Sequence, residues 1–544
     1  MKQQRSQFRA IRGVRDILPP ESALWNRVEH TARAVFAAYN FQEIRLPIFE
    51  ETELFARSVG ADTDIVSKEM YTFEDYDASE LLEYRNAILT WQDLPEVSGP
   101  AGPLGVGAVA IFQQFGAMVY KFCLLGREAF DRGNIPRTPE NDSLLKGLIG
   151  EPESFLASIQ SRTIQENRQM VGNLKDRVRQ LRFGDSLSLR PEATASVVRA
   201  YIEHSMHALP GDVKLYYMGP MFRRERPQKG RYRQFYQIGA EVLGQSDSPA
   251  IDAEVIEMLM AYLDRLGLKG ATLYVNSIGC KECRPAYVAK LREELLKVKD
   301  QLGADSQRRI ETNPLRVLDS KLEHEQAIIE RLPRISDHLC AACREHFAEL
   351  QAQLKLRSIE YKINWRLVRG LDYYTRTTFE ITAPGLGSQN AICGGGRYDG
   401  LVELLGGPPT KGIGFAIGTD RLVLALQEAG KGESASHIDV FVAWLGRAES
   451  PVYAAAVKLA RQLREEGFAV ELPPEEMKLK KSLGLADKLG ARYALIIGDD
   501  EIASGSFVLK RLADSEQRKL SESELLNYLK SDENRKVAAA QRQS

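Results

Sequence analysis

The segment from Tyr216 to Gly244 constrains the fold of this chain more than any other stretch. Two alternating apolar and polar runs flank a turn that contains Pro227 and Gly230, which is the pattern of a hairpin. Six basic residues and one acidic residue lie within positions 223–233, although the whole chain has a net charge of -1. A local surplus of positive charge in a nearly neutral protein indicates a bound polyanion. The segment therefore predicts a hairpin that presents arginines, which bind phosphate bidentately.

The side chains around this turn favour a nucleotide as the polyanion. Arg223 and Glu225 are two residues apart, so in a strand they would share one face. Phe235 and Glu241 follow on the returning strand. A phosphate-binding arginine, a ring for stacking and carboxylate acceptors on one platform suit a nucleotide. A solvated charged hairpin without a ligand is the alternative, since motif matches carry false positives.

Three further motifs follow in the sequence. They are Arg369–Glu380 (RGLDYYTRTTFE), Gly394–Gly400 (GGGRYDG) and Gly412–Arg421 (GIGFAIGTDR). With the hairpin, these motifs resemble those of histidyl-tRNA synthetases, a class II aminoacyl-tRNA synthetase family. The hairpin resembles motif 2, the last segment resembles motif 3, and the other two resemble the histidine-specific motif and its glycine-rich partner. The resemblance covers roughly residues 8–75 and 184–530.

The resemblance implies the fold class and the domain order. The expected fold is an α+β class II synthetase catalytic core, in which helices flank an antiparallel sheet, with helical insertions and a C-terminal α/β anticodon-binding domain. A length of 544 residues allows three or more domains. The expected limits are 1–75, 183–267 and 366–429 for the core, 76–182 for a helical insert of unknown role, 268–365 for a helical insertion domain, and 438–532 for the α/β domain. Alternating strands and helices after Ile438 predict a largely parallel sheet there.

Two elements near the N-terminus can be predicted from pattern alone. Residues Ser22–Asn40 have helical apolar spacing, and Asn40 is a suitable left-handed stop. Glu43–Phe49 reads as a strand interrupted by Pro47, which restricts it to an edge or an interface. The resemblance to motif 1 implies that this strand builds a homodimer interface. An ordinary edge strand is the alternative.

The resemblance also implies the residues that bind ATP. Arg223 and Arg369 would contact the α-phosphate and stabilise the charge that develops there, so both are expected to be catalytic. Arg231 and Arg421 would hold the β- and γ-phosphates together with Mg²⁺. Glu225 would accept a hydrogen bond from the adenine amino group, and Phe235 would stack on the base.

Histidine binding is expected from a second group of residues. Neutral imidazole has one donor and one acceptor nitrogen, and Glu241 with Tyr374 would satisfy both. The other residues expected to bind histidine are Glu192, Ala193, Thr194, Arg223, Gln237, Arg369, Tyr373 and Tyr398. The family usually has glycine where Ala193 stands. For Glu192 and Thr194, a helix cap is the alternative reading.

Four cysteines form two C-x-x-C pairs, at Cys280 and Cys283 and at Cys340 and Cys343. Four thiolates are the preferred ligand set of structural zinc. The 56 residues between the pairs exceed the usual zinc-ribbon spacing. Thiols without a metal are therefore the alternative. Six cysteines in 544 residues do not predict a disulfide framework.

The insert at 76–182 has no counterpart in the resemblance. Residues 108–126 are its most apolar stretch, but Gln113, Gln114 and Lys121 favour a buried helix over a membrane span. Its last helix has apolar residues at heptad spacing from Ile164 to Leu181, interrupted by Asn167, and such a seam usually pairs with another helix. We expect a helical decoration packed on the core.

The expected function is that of a histidine–tRNA ligase. It would form histidyl-adenylate from L-histidine and ATP, and then charge tRNA-His, as a cytoplasmic homodimer without a membrane partner. A non-catalytic synthetase-like regulator of histidine biosynthesis is the main alternative, and a general RNA-binding protein is a third. The regulator is disfavoured because the arginines and the C-terminal domain are retained, and an RNA-binding protein does not explain the glycine-rich and histidine motifs.

Overall fold

The protein is described from a computed structural model. The described residues are 8–60, 63, 65–75, 79–92, 106–132, 135, 138–149, 151–181, 184–368, 373–387, 390–431, 438–447 and 450–531.

Strands and helices are numbered in chain order within these residues. The strands are β1 (Gln42–Glu43), β2 (Phe49–Glu51), β3 (Tyr71–Asp75), β4 (Asp185–Leu189), β5 (Val213–Phe222), β6 (Gln234–Gly244), β7 (Thr272–Ser277), β8 (Lys362–Ile363), β9 (Thr375–Thr382), β10 (Ala391–Arg397), β11 (Lys411–Gly418), β12 (Val440–Trp444), β13 (Val470–Glu471), β14 (Tyr493–Ile497), β15 (Ser506–Arg511) and β16 (Gln517–Ser521). The α-helices are α1 (Glu21–Ala38), α2 (Thr52–Val59), α3 (Ser79–Thr90), α4 (Val106–Arg132), α5 (Pro139–Ile149), α6 (Glu151–Ser158), α7 (Ile164–Gln180), α8 (Thr194–Glu203), α9 (Pro249–Arg265), α10 (Arg284–Lys297), α11 (Ala304–Thr312), α12 (Glu323–Ile329), α13 (Ala341–Leu356), α14 (Leu401–Leu404), α15 (Thr419–Glu428), α16 (Pro451–Glu465), α17 (Leu479–Lys488) and α18 (Asp499–Ser504).

An eight-stranded sheet with the order β1-β5-β6-β11-β10-β9-β7-β8 forms the centre of the largest unit. Its inner pairs are antiparallel, and only the two edge pairs, β1 with β5 and β7 with β8, are parallel. The predicted hairpin is confirmed as β5 and β6, which pair from Val213 opposite Leu243 to Phe222 opposite Gln234. The predicted antiparallel core is therefore present, with parallel strands only at its margins.

The first helix is confirmed, whereas the strand after it is shorter than predicted. Helix α1 ends at Ala38, and Asn40 has a φ of 62°, which is the left-handed conformation expected of the stop. The strand predicted at Glu43–Phe49 is broken in two, because β1 ends at Glu43 and β2 begins at Phe49. Pro47 lies in the gap, where a residue without a backbone donor cannot continue a ladder. Strand β1 does lie at the edge of the sheet.

Helices cover both faces of the central sheet. On one face, α1, α9, α13 and α15 bury an apolar cluster that includes Phe36, Tyr262 and Phe415. On the other face, α8 and α10 with the helices that follow bury a second cluster, which includes Tyr217, Tyr287 and Leu401. This second cluster reaches the tyrosines of the histidine-specific motif.

The insert leaves the core from a three-stranded sheet with the order β2-β4-β3. Strands β3 and β4 are antiparallel, and Asp75 lies opposite Asp185 at the point where the insert begins and ends. Ile48, Phe49 and Phe73 are exposed to 46%, 52% and 42% around this sheet. The sheet thus presents an apolar surface to solvent.

Five helices, α3 to α7, form the described part of the insert and enclose their own apolar cluster. The predicted heptad seam is largely buried, since Val171, Leu174, Val178 and Leu181 are 1% exposed or less. Asn167 is also fully buried, and its Nδ2 donates to the carbonyl of Ile159 at 3.0 Å. The insert is therefore a helical unit with its own core rather than a set of helices that depends on the central sheet.

One helix among the described residues, α4, is long and apolar enough to cross a membrane. Its most apolar window has a mean hydropathy of 1.4 and is 33% buried. Phe112, Phe115, Val119 and Phe122 on this helix are fully buried within the insert. One face of α4 is therefore buried in the core of the insert, and the choice of a buried helix over a membrane span stays a prediction.

The segment predicted as a helical insertion domain, 268–365, is tied to the core by strands at both ends. Strand β7 pairs with β9, and β8 pairs with β7, so both belong to the central sheet. The helices of this segment run from α10 to α13. The domain limits stay a prediction, but the helical part lies between the two strands.

The C-terminal unit is a five-stranded sheet with the order β13-β12-β14-β15-β16. The predicted strands and helices are present: β12, α16, β13, α17 and β14 alternate along the chain. The sheet is parallel only for β13, β12 and β14, because β15 and β16 continue as an antiparallel pair. The prediction of a largely parallel sheet missed these last two strands.

Candidate active site

A cavity of about 300 Å³ opens on the face of the central sheet between the β5–β6 hairpin and strands β9 to β11. Most of the predicted site residues line it. They are Glu192, Thr194, Arg223, Glu225, Arg231, Phe235, Gln237, Glu241, Tyr373, Tyr374, Tyr398 and Arg421. The structure thus brings the residues of four separate sequence motifs into one site.

Of the predicted residues in the described part of the chain, Ala193 does not line the cavity, and one further predicted residue lies outside the described part. Ala193 is fully buried between Glu192 and Thr194, at the start of α8. Arg369 lies outside the described residues. Its predicted contact with the α-phosphate therefore stays a prediction.

Glu241 forms the closed end of the cavity. Thr194 Oγ1 donates to Glu241 Oε1 at 2.8 Å, and the Tyr398 hydroxyl donates to Oε2 at 2.7 Å. The side chain is 1% exposed, and this burial raises the pKa of Glu241 to about 8. The phenol bonded to Glu241 is Tyr398, whereas the sequence pairs Glu241 with Tyr374. Tyr374 lines the same cavity, with its ring 4.7 Å from that of Tyr373.

Glycines of motif 3 make room for these side chains. A Cβ added at Gly414 would lie 1.6 Å from Glu241 Oε2, and one at Gly412 would lie 2.2 Å from the Tyr398 ring. Real Cβ contacts of this length do not occur, so both positions require glycine. The glycine pattern of this strand follows from the volume that Glu241 and Tyr398 occupy.

Glu192 and Gln237 lie beside Glu241 and differ in their hydrogen bonding. The carboxylate of Glu192 accepts from the backbone of Thr194 at 2.8 Å and of Ala195 at 2.9 Å, which caps the start of α8. These two hydrogen bonds agree with the alternative interpretation of Glu192 as a helix cap. Among the described residues, Gln237 Oε1 is buried and has no hydrogen-bond partner. A buried acceptor without a donor is costly, and a ligand ammonium group would satisfy it.

The open end of the cavity is cationic. Arg223 Nε donates to the carbonyl of Pro191 at 2.9 Å, and its guanidinium lies 5.2 Å from the centre of the Phe235 ring. Arg231 forms an ion pair with Glu225. Arg223 and Glu225 follow β5, which ends at Phe222, so the prediction that they are strand residues is wrong. They nevertheless both line the cavity, and Arg223 Nη1 lies 3.8 Å from Glu225 Oε1.

Arg421 holds the hairpin turn against the sheet. Its guanidinium donates to the carbonyls of Gly230 at 3.2 Å and Ala391 at 2.9 Å. Burial lowers the pKa of Arg421, and the neighbouring charge of Arg231 adds to this effect. Arg231 and Arg421 both line the cavity, and two neighbouring cations favour a bound anion between them.

Several lining residues were not singled out from the sequence, and Tyr217 and Glu380 are two of them. Tyr217 is 3% exposed and lies on β5, two residues before Gly219, while Glu380 is the last residue of the histidine-specific motif. The alternation of β5 could have indicated Tyr217, since the residue lies on the strand that leads to the arginine turn. Glu380 was visible in the motif, but the sequence alone did not indicate its role.

The four paired cysteines meet behind this cavity. The Sγ–Sγ distances are 3.8 Å for Cys280 and Cys283, 3.9 Å for Cys280 and Cys340, and 3.9 Å for Cys283 and Cys343. All four sulfurs lie within 4.8 Å of one another. A tetrahedron with zinc–sulfur bonds of about 2.3 Å has edges of about 3.8 Å. The cluster can therefore hold a metal ion with little rearrangement.

Comparison with known proteins relates both units of this chain to one family. A family model described as histidyl-tRNA synthetase matches residues 155–422, and one described as anticodon binding domain matches residues 439–532. A histidine–tRNA ligase of Koribacter versatilis is 46% identical over 534 residues, which cover 97% of this chain and 98% of the relative. One of Trichlorobacter lovleyi is 40% identical over 508 residues, with 93% and 94% covered.

Solved structures agree with these relatives. The chain is similar to apo histidyl-tRNA synthetase of S. aureus with a TM-score of 0.63 and 30% identity, over 96% of this chain and 100% of that one. A histidyl-tRNA synthetase of Nostoc has a TM-score of 0.60 at 18% identity, over 97% of this chain and 100% of that one, which supports the fold alone.

Proposed function

The chain belongs to the histidyl-tRNA synthetase family, and we propose that its cavity is where histidine is activated with ATP. The activity of the chain is that of a histidine–tRNA ligase. The observation that carries the site assignment is the convergence of Glu241, Gln237, Arg223 and Arg421 in one cavity. The closed end, which has polar side chains, suits histidine. The open end, which is cationic, suits ATP.

The regulatory alternative is disfavoured by the extent of the match. The relatives that align over nearly the whole chain at 39–46% identity are named histidine–tRNA ligases. The C-terminal domain, which matches an anticodon-binding model, is also present. A regulator without aminoacylation activity would have no use for this domain.

In the first step, the carboxylate of histidine attacks the α-phosphorus of ATP. A new oxygen–phosphorus bond forms, the bond to the bridging oxygen breaks, and diphosphate leaves with the electron pair. Arg223, held by the Pro191 carbonyl, is placed to bind the carboxylate and the α-phosphate. We assign Arg369 to the same phosphate. Fixed cations stabilise such a transition state because they need not reorganise.

In the second step, the histidyl group moves to tRNA-His. A hydroxyl of the terminal ribose attacks the carbonyl carbon of the adenylate, and AMP is the leaving group. The mixed anhydride is already activated, so no nucleophilic side chain is needed. We infer that the role of the protein in this step is to position both reactants.

The closed end selects histidine by its hydrogen bonds. Glu241, with Tyr373, Tyr374 and Tyr398 around it, offers a buried carboxyl and phenols to the two imidazole nitrogens. The free Oε1 of Gln237 would accept from the α-ammonium group, beside Glu192 and Thr194. An amino acid with an apolar side chain would leave the Glu241 end unpaired and be rejected strongly.

ATP binding requires an exchange of partners at the open end. Without ligand, Glu225 is paired with Arg231. We infer that the phosphates take Arg231 and Arg421, while Glu225 turns to the adenine amino group and Phe235 stacks on the base. Mg²⁺ enters with ATP and neutralises phosphate charge. Glu380, which lines the cavity, is a carboxylate of the type that Mg²⁺ prefers.

Three further assignments concern the compartment, the assembly and a metal site. We propose a cytoplasmic homodimer that pairs through the surface of Ile48, Phe49 and Phe73, because exposed apolar patches of this kind mark interfaces. A monomer in sedimentation equilibrium at micromolar concentration would contradict this. We also propose that Cys280, Cys283, Cys340 and Cys343 bind one zinc ion, since four thiolates at tetrahedral spacing fit zinc.

ATP–diphosphate exchange tests the site assignment. Wild-type protein should exchange diphosphate into ATP only when histidine is present. Arg223→Gln should lower this rate by about 10²–10³-fold, the usual cost of one transition-state donor. The neighbouring Arg224→Gln is the matched control, because Arg224 stacks on the Tyr71 ring and does not line the cavity. No histidine-dependent exchange by the wild type would refute the assignment.

A further inference from the structure

The cysteine cluster joins two segments that lie far apart in the chain. Cys283 directly precedes α10, and Cys340 directly precedes α13. The backbone N–H of Cys280 donates to Cys283 Sγ at 3.3 Å, as in metal-binding knuckles where amides stabilise thiolates. Both helices begin at the cluster, so their positive ends face the sulfurs. A metal here would fix the starts of two helices relative to each other.

Helix α10 is linked to the histidine end of the cavity through its first residue. The Arg284 side chain donates to the carbonyls of Ile278 at 3.0 Å and Gly279 at 3.2 Å, and also to the carbonyl of Tyr374. A single guanidinium thus ties the cysteine loop to the backbone of a cavity residue. Its position follows directly from that of Cys283.

The cysteine loop is also bonded to β9, which begins directly after Tyr373 and Tyr374. The N–H of Ile278 donates to the carbonyl of Arg376, and the N–H of Arg376 donates to that of Gly279, both at 2.8 Å. Arg376 has a φ of 49°, which is unfavourable for a residue with a side chain. The surrounding contacts must hold this conformation. The start of β9, two residues after Tyr374, therefore depends on the loop that contains Cys280.

Helix α13 provides a separate link to the pocket. His346, one turn after Cys343, has its Nε2 3.1 Å from the carbonyl of Asp247, which is its hydrogen-bond partner, and 3.7 Å from Asp252 Oδ2. Asp252 in turn binds the buried guanidinium of Arg397 at 2.7 Å, and Arg397 precedes Tyr398. The Tyr398 hydroxyl donates to the carboxylate that closes the cavity. The two halves of the cysteine cluster thus connect to different tyrosines of the histidine pocket.

We propose that zinc at the four cysteines positions the tyrosine walls of the histidine pocket, so that metal loss weakens histidine binding but not ATP binding. This inference rests on the proposed zinc site and on the proposed histidine pocket. The links described above end at Tyr374, Arg376 and Tyr398. Arg223, Arg231 and Arg421 at the ATP end are held by contacts with Pro191, Glu225, Gly230 and Ala391 instead.

The first experiment breaks one link and keeps all four thiols. Arg284→Gln should retain about one zinc per chain, because Arg284 bonds backbone carbonyls and no cysteine, but should raise the histidine KM about tenfold, the order of loss on replacing a supporting residue. The ATP KM should stay within about twofold. Calorimetric titration with histidine alone should show the same loss without turnover. Arg292→Gln is the matched control, since this arginine lies on α10 but pairs with Glu311 at the surface.

The second experiment removes the metal from the full-length protein. A mercurial reagent should release about one zinc per chain, detected with a zinc indicator, and raise the histidine Kd while the ATP Kd is unchanged. Less than about half a zinc per chain in the purified protein would refute the zinc site itself. Bound zinc with an unchanged histidine KM in Arg284→Gln would refute the positioning role and leave the zinc site standing. A matching rise in the ATP KM would also refute it, since the effect would then not be confined to histidine.

Discussion

We propose that histidine selection depends on the carboxyl of Glu241, which is buried; among the described residues, the groups that shift its pKa include no cation. Burial raises its pKa to about 8, compared with 4.5 for an ordinary glutamate. Between pH 4.5 and pH 8 the Glu241 carboxyl keeps its proton in the folded protein, whereas the same carboxyl has lost it in the unfolded chain. The stabilisation that this proton provides is complete below pH 4.5 and is lost as the pH rises through 8.

Glu241→Gln removes this titration and should change how stability depends on pH. The free energy of unfolding of the wild type should fall relative to the variant between pH 4.5 and pH 8, by at most about 1.4 kcal/mol per pH unit. Urea unfolding of both proteins at several pH values measures the difference. The variant should also bind histidine more weakly, because an amide cannot share a proton with imidazole. If the free energies of unfolding of wild type and variant differ by the same amount at every pH, Glu241 is ionised in the folded protein.

At the scale of single residues, the sequence predicted which side chains line the cavity but not which hydrogen bonds they form. The hairpin pattern, together with the resemblance to histidyl-tRNA synthetases, predicted that Gln237, Glu241 and Arg223 meet, and all three line one cavity. The bond from Tyr398 rather than Tyr374 to Glu241 depends on rotamers and on the space left by Gly412 and Gly414. Such details follow from packing in three dimensions, which one-dimensional spacing does not encode.

At the scale of elements, helix α7 is stabilised by a seam that pattern alone revealed. Leu174 is fully buried in the core of the insert. Leu174→Ala should lower the free energy of unfolding of the insert by about 2–5 kcal/mol, the usual cost of a cavity in a core. Hydrogen exchange of α3 to α7 should report this loss, while histidine-dependent exchange of diphosphate stays within about twofold. Asn173→Ala, on the exposed side of the same helix, is the control. A loss of activity equal to that of a site variant would show that the insert supports the cavity.

The elements that the sequence mispredicted have identifiable physical causes. A single strand was predicted from Glu43 to Phe49. The structure has two short strands instead, because Pro47 lacks the backbone N–H that a continuous β-ladder needs. The meeting of the two cysteine pairs was predicted with an alternative, since their spacing is long, and the intervening helices do fold so that all four sulfurs form one cluster. Strands β15 and β16 were missed because the alternation of strands and helices was extrapolated past its end.

At the scale of the whole molecule, the insert is separable from the catalytic unit by its topology. It leaves and re-enters the sheet at Asp75 and Asp185, which lie opposite each other in adjacent antiparallel strands. Partners in such a pair have Cα atoms about 5 Å apart, so a two-residue turn can join the strands. The insert also has its own apolar core. Removing it should therefore expose little of the central core.

Replacing residues 76–184 by an Asn-Gly turn tests this separation. We expect a folded protein whose histidine-dependent diphosphate exchange stays within about twofold of the wild type, because no described residue of the insert lines the cavity. The melting temperature of the remaining domains should be unchanged within about 4 °C, the shift that roughly 1 kcal/mol produces in domains of this size. Leu174→Ala in the full-length chain serves as the comparison, since it weakens the insert without a new junction. A folded deletion variant with at least tenfold lower exchange would show that the insert acts on the active site.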